Sequence, residues 1–319
     1  ISATACAISV PGPRRNHPRL GESLMSFLWV VFTLAAAAGQ TARNALQREL
    51  VRPLGAAGAT HVRFLFALPF AALFLLAVMT IRHSALPPVS GIFLVWLAVG
   101  ALTQIVATLL MLLTMQHRSF VVSIAFLKME PVLTAILGFI FLGDRLTPLM
   151  VAAILLATLG MLLISLRPGG GGTGLKAALL GLASGGFFAA SAVGFRGAIL
   201  ALPHTGFVLA ATFTLFTGLL LQSVVMSAWL RVTAPGTLTL MLKSWKVSGG
   251  AGLIGALASE FWFLAFALAT AASVRTLGMI DVVFAQAVSH RMRQHVSARE
   301  MAGIAILLAG GVLLVWAES

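Results

Sequence analysis

Long apolar runs alternate with short polar, glycine- or proline-bearing stretches along the whole chain, and ten such runs can be drawn. In the first half they cover roughly residues 26–46, 59–80, 91–115, 119–142 and 146–166. In the second half they cover roughly 176–200, 206–228, 248–270, 273–291 and 299–317. A helix rises 1.5 Å per residue, so about 20 residues cross a hydrocarbon core of ~30 Å. Most connections are short, which makes neighbouring helices antiparallel, and Pro87, Pro88 and Pro203 mark breaks between runs. The pattern predicts an all-α integral membrane protein of ten transmembrane helices.

The pattern also repeats. Residues 146–163 (LTPLMVAAILLATLGMLL) align with residues 296–313 (VSAREMAGIAILLAGGVL) at an offset of about 150 residues. Both carry a small hydroxyl residue (Thr147, Ser297), then a small residue (Ala153, Gly303), then a glycine (Gly160, Gly310). Five spans per half is an odd number, so a direct duplication places the second copy upside down. The expectation is two inverted five-helix repeats around a pseudo-two-fold axis in the membrane plane, with the site near the midplane between them. The units are residues 25–167 and 175–319, joined by a Gly-rich linker at 168–174. Residues 1–24 are polar, Arg- and Pro-bearing, and read as a disordered tail or an over-extended reading frame with the native start at Met25.

Composition supports the membrane reading. Hydrophobic residues make up 60% of the chain and charged residues 9%, where soluble domains carry about 25% charged. The net charge of +13 does not point to nucleic acid, because Lys and Arg lie between the apolar runs rather than on one polar face. Their bias toward the odd-numbered connections would put both termini outside. Cys6 is the only cysteine, so an intrachain disulfide is excluded. His290 and His295 are five apart and lack helical metal-pair spacing; neither metal nor cofactor is expected. Gly169 and Gly174 have phosphate-loop spacing, but Leu175 stands where that loop needs lysine. Trp29, Trp96, Trp229, Trp245 and Trp316 fall near span ends, as interfacial anchors would. Gly181 and Gly185, and the run Gly249, Gly250, Gly252 and Gly255, read as close helix packing.

Candidate chemistry lies in the polar residues at depth. Of eight acids, Glu130, Glu260 and Asp281 fall inside apolar runs. A carboxylate there costs a few kcal/mol and must face a partner, a cavity or a bound proton. These three are the candidates for proton or ion coupling. Pro131 follows Glu130 inside the fourth run, predicting a kink and a freed carbonyl beside the acid. At the repeat offset Glu130 falls one residue from Asp281, so each half contributes one carboxylate near the seam. Gln40, Arg43, Asn44 and Gln47 share one helical face. With Arg63, Gln104, Lys128, Pro131, Arg275 and Gln286, residues Gln40, Arg43 and Asn44 are the candidates for a solute cavity. Lys128 and Glu130 are two apart and cannot pair simply, while Arg43, Arg63, Arg196 and Arg275 lie near span ends and have snorkelling as their alternative.

The run FLKMEPVLTAILGFIFLGDRLTPLMVAAILLATLGMLLIS, from Phe126 to Ser165, resembles the EamA-type signature of the drug/metabolite transporter superfamily. Glu130-Pro131, the turn Leu142-Gly143-Asp144-Arg145-Leu146-Thr147, and Gly160 carry the likeness. The second half departs from it, with Asp281-Val282 near the Glu-Pro position and Arg293 to Ser297 in place of the turn. The resemblance implies ten helices in two inverted repeats, a central cavity, transport of small metabolites or drug-like solutes, commonly export, and termini in the cytosol. The expected function is therefore a permease working by alternating access rather than an enzyme. Its partners are a small-molecule substrate, the lipid bilayer of a bacterial inner membrane and, as an open option, protons; monomer and homodimer both fit. A lipid flippase or embedded transferase, and a non-transporting scaffold, are the alternatives.

Overall fold

The structure, a computed structural model, describes residues 20–114, 127–165, 175–202, 204–284 and 298–318. Among these the secondary structure is helical, with no strand. Five stretches are long and apolar enough to cross a membrane: Leu50–Arg82, Gly91–Leu113, Leu179–Leu200, Phe207–Thr233 and Ser248–Leu268. Three shorter apolar helices, Glu130–Leu142, Pro148–Leu163 and Met301–Ala317, complete the apolar set. The Gly-rich linker and most of the N-terminal tail lie outside the described residues.

The first helix, α1, runs Leu20–Leu65, so it begins inside the expected tail and continues through the connection expected near residues 47–58. At 1.5 Å per residue, 46 residues would make a rod of about 70 Å, more than twice the bilayer core. The chain solves this at Gly55, whose φ of 70° breaks the helix two residues after Pro53. Glycine tolerates that left-handed backbone and proline supplies no donor there. Gln47 ties the two arms together by donating from Nε2 to the Ala59 carbonyl at 3.0 Å. The second arm leads into α2 (Leu68–Arg82).

The remaining elements are α3 (Gly91–Thr114), α4 (Glu130–Leu142), α5 (Pro148–Ser165), α6 (Leu175–Leu200), α7 (Phe207–Thr233), α8 (Pro235–Lys243), α9 (Trp245–Leu268), α10 (Ala271–Gly278) and α11 (Ala298–Glu318). Helix α4 corrects one expectation. Pro131 does not kink a helix interior; it sits in the first turn of α4, after a turn at Lys128 and Met129. A first-turn amide has no intrahelical acceptor, so proline costs nothing there.

The most extensive helix contacts are α1 on α9, α3 on α6 and α5 on α11. Small residues bring each pair together, as they do where lipid offers no hydrophobic drive for association. A Cβ on Gly39 of α1 would lie 2.9 Å from the Ala258 Cβ of α9, and one on Gly194 of α6 would lie 2.5 Å from the Gly100 nitrogen of α3. The two repeat glycines face each other's helix: a Cβ on Gly160 would meet the Leu307 nitrogen at 2.5 Å, and one on Gly310 the Ala157 nitrogen at 2.6 Å.

Large apolar side chains such as Leu73, Ile92, Val95, Phe139 and Ile140 are exposed, while Arg43, Gln47, His61 and Gln222 are buried. That inversion suits a lipid surroundings and a polar interior. Trp229, Trp245 and Trp316 are exposed, as anchors require, whereas Trp29 is buried in the core.

Candidate functional site

Two helix breaks build the site. In the first half a turn at Lys128 and Met129 interrupts the chain, and helix resumes at Glu130. In the second, α10 ends at Gly278, a turn follows at Met279 and Ile280, and helix resumes at Asp281. Each carboxylate therefore stands at the start of a resumed helix, where free N–H groups favour negative charge.

The charges pair across the halves rather than within them. Lys128 Nζ lies 3.2 Å from Asp281 Oδ1 and 3.4 Å from Oδ2. Arg275 Nε lies 3.0 Å from Glu130 Oε1. Lys128 and Glu130 point to different partners, as their two-residue spacing predicts. Helix α1 adds a further layer: Gln40 donates from Nε2 to Asp281 Oδ2 at 3.4 Å, and the Thr41 hydroxyl donates to the Asp281 carbonyl at 3.2 Å.

The Gln40 carbonyl oxygen accepts twice, from Arg43 Nη2 and from the Trp262 indole, each at 3.1 Å. Trp262 also supports Arg275, whose guanidinium carbon lies 4.8 Å from the indole centroid and 5.3 Å from that of Phe266. Such cation–π contact is worth about 0.5–2 kcal/mol. Gly278 leaves the space that the Trp262 ring fills. Arg63 Nη1 donates to the Thr108 hydroxyl at 3.3 Å.

These groups wall a cavity of about 110 Å³, to which Gln40, Arg43, Asn44, Arg63, Lys128, Glu130, Arg275 and Asp281 contribute with Met111, Leu127 and Phe188. A smaller hollow of about 20 Å³ adjoins it beside Pro131 and Trp262. Arg43 is 3% exposed, and its Nε and Nη1 have no hydrogen-bond partner among the described residues. Two larger spaces are apolar and open between helices. One, of about 420 Å³, runs along α1, α10 and α11 past Phe27, Leu34, Leu308 and Trp316; the other, of about 340 Å³, lies between α4 and α5.

Comparison with known proteins bears on this geometry. Residues 27–166 match the model of the EamA-like transporter family. The match covers 140 of the 319 residues, all in the first half of the chain, and is what that half is similar to. A solved structure described as "Crystal structure of protein" has 13% sequence identity and a TM-score of 0.63, with 94% of this chain and 98% of that chain covered. At that identity the likeness speaks for the fold alone, across both halves. The comparison with curated proteins finds no match.

The EamA-like unit supplies Gln40, Arg43, Asn44, Arg63, Lys128, Glu130 and Pro131, and the second half supplies Arg275 and Asp281. Arg43 is buried, and Arg275, its side chain 10% exposed, turns inward to Glu130, so neither extends outward as a snorkelling cation would. Arg196 is equally internal: it pairs with Asp144 at 3.4 Å and donates to the carbonyls of Phe266 and Ala269 at the end of α9. That bridge fastens the EamA turn of the first half to the second half. Two candidates stand apart from the cavity walls. Glu260 accepts from the Thr212 hydroxyl, and Gln104 accepts from Gln222 Nε2 at 2.7 Å. Gln286 lies outside the described residues. Among the described residues no group of three or more His, Cys, Asp or Glu side chains is placed to hold a metal ion.

Sequence reasoning missed Trp262, Thr41, Thr108 and the Asp144–Arg196 bridge. Trp262 did carry a signal, because it alone of the six tryptophans falls in the middle of an apolar run. The hydroxyls carried none, since threonines in apolar helices usually bond back to their own carbonyls.

Proposed function

We propose that the chain is a permease, ten membrane-crossing segments in two inverted five-helix units, that moves a small anionic or zwitterionic solute by alternating access. The carrying observation is the pair of crossed ion pairs, Lys128 with Asp281 and Arg275 with Glu130, that line one cavity from both halves. Each pair joins a broken helix of one half to a broken helix of the other. Discontinuous helices meeting at a midplane site are the parts from which such carriers are built. The reciprocal packing of Gly160 and Gly310 supports the two-fold relation, as does the recurrence of the Gly39–Ala258 approach in Gly194–Gly100.

In this mechanism a solute entering the cavity competes for Arg43, Arg63 and the paired cations. Opening then needs the crossed pairs to part on one side while Asp144–Arg196 holds the other. Glu130 and Asp281 supply charge or proton exchange as the halves rock, and export across a bacterial inner membrane is the expected direction. A scaffold has no use for a polar hollow of this kind. A flippase would need polar groups along its lateral crevice, and the one beside α11 offers little beyond the Thr276 hydroxyl.

The test is a metabolite screen in everted vesicles under a proton gradient, with and without the protein. Protein-dependent movement of at least one small solute is expected, slowed by Glu130→Gln. No solute moving would sink the permease reading; unchanged transport and pH dependence in Glu130→Gln would remove the coupling role.

A further inference from the structure

Counting charge around the cavity narrows the solute. Four cations line it, Arg43, Arg63, Lys128 and Arg275, against two carboxylates, Glu130 and Asp281. The carboxylates hold Lys128 and Arg275 at salt-bridge distance; among the described residues neither Arg43 nor Arg63 has a carboxylate at that distance, and the cavity lining carries a formal excess of two positive charges. Segments 115–126, 166–174 and 285–297 contain no Asp or Glu and supply no carboxylate.

A buried guanidinium without a counter-charge is costly, because nothing replaces the water it has lost. Arg43 shows the consequence most directly. Among the described residues it bonds only to the neutral side-chain carbonyl of Gln40, and two of its nitrogens are buried with no acceptor there. Gly255 lets its stem through, with a would-be Cβ 3.2 Å from Arg43 Cδ, so the residue is seated rather than stranded. A guanidinium fork presents parallel N–H donors that match the two oxygens of a carboxylate or phosphoryl group. The volume of about 110 Å³ is well below the ~300–1,000 Å³ of drug-sized pockets, so the occupant is compact.

Resting on the permease reading of this cavity, we infer that its solute is a compact oxyanion with two negative charges, bound by Arg43 and Arg63 while Lys128 and Arg275 keep their carboxylates. Two sources share that chemistry, a short dicarboxylate and a phosphate monoester.

The test measures binding to the purified full chain in detergent, through tryptophan fluorescence and thermal stabilisation. The probes are malonate, succinate and glycerol 3-phosphate, each set against a matched partner of lower charge: acetate, propionate and glycerol. A dianion should bind roughly tenfold to a hundredfold more tightly than its partner, the range that one charge-assisted hydrogen bond supplies. Arg43→Gln should erase that advantage; if it does not fold, Arg43→Lys keeps the charge, loses the fork and should lower the advantage. Preference for malonate or succinate supports the proposal through the dicarboxylate, and preference for glycerol 3-phosphate supports it through the phosphoryl group. No charge preference, or one that survives both Arg43 variants, would overturn it. Counterflow in proteoliposomes separates the two readings. A dianion that binds but does not cross defeats the permease and leaves the dianion site standing, whereas protein-dependent crossing of only neutral or cationic solutes does the reverse.

Discussion

Removing Lys128 and Asp281 singly and together tests whether the two halves are held by a true ion pair. At 3.2 Å and an effective dielectric of about 20, the attraction is about 5 kcal/mol, before the cost of taking both charges out of water. The side chains are 17% and 12% exposed, so screening discounts little of it. Lys128→Met strands the Asp281 carboxylate with Gln40 as its remaining side-chain donor, and should cost about 3–5 kcal/mol. Asp281→Asn strands the ammonium and should cost a similar amount. The double variant buries no lone charge, so it should lose well under the sum, leaving a coupling of at least ~2 kcal/mol. Unfolding of the purified protein in mixed micelles, followed by tryptophan emission, measures all three. Losses that add to within about 0.5 kcal/mol would show that the two groups do not interact, and the seam would have to be explained otherwise.

Other expectations follow from single contacts. Gly278→Ala pushes a Cβ into the rigid Trp262 indole; it should cost about 1–3 kcal/mol and shift the tryptophan emission maximum. Gly160→Leu must part α5 from α11, because its Cβ would meet backbone rather than a yielding side chain; a loss of 1–3 kcal/mol or more is expected on the same unfolding curves, about the overpacking range. Asp144→Asn removes the carboxylate from Arg196 and should destabilise by about 1–3 kcal/mol, with faster hydrogen exchange at the end of α9 where Arg196 holds the Phe266 and Ala269 carbonyls.

Much of this protein is written locally. Apolar runs fix where helices form and that lipid is their solvent, because period and length need no knowledge of neighbours. The face shared by Gln40, Arg43 and Asn44 follows from helical spacing, and all three do meet one cavity. The same rule also put Gln47 on that face, yet Gln47 spends its amide on the α1 break at Gly55. Spacing orients a side chain but does not say what waits opposite. Likewise Glu130 and Asp281 were legible as expensive acids, since any carboxylate at depth must answer for itself.

Which cation answers each acid was decided by the fold. Lys128 and Asp281 are 153 residues apart, and only the meeting of two broken helices brings them to 3.2 Å. Pro131 looked like a kink because sequence alone does not reveal that the helix starts one residue before it. Arg275 could be read as a cavity wall or as a snorkelling cation, and only Trp262 and Glu130 closing around it chose between them. The surplus of positive charge in the cavity is of the same kind. Twenty-one basic and eight acidic residues are plain in the chain, but which few of them share one hollow is a property of packing.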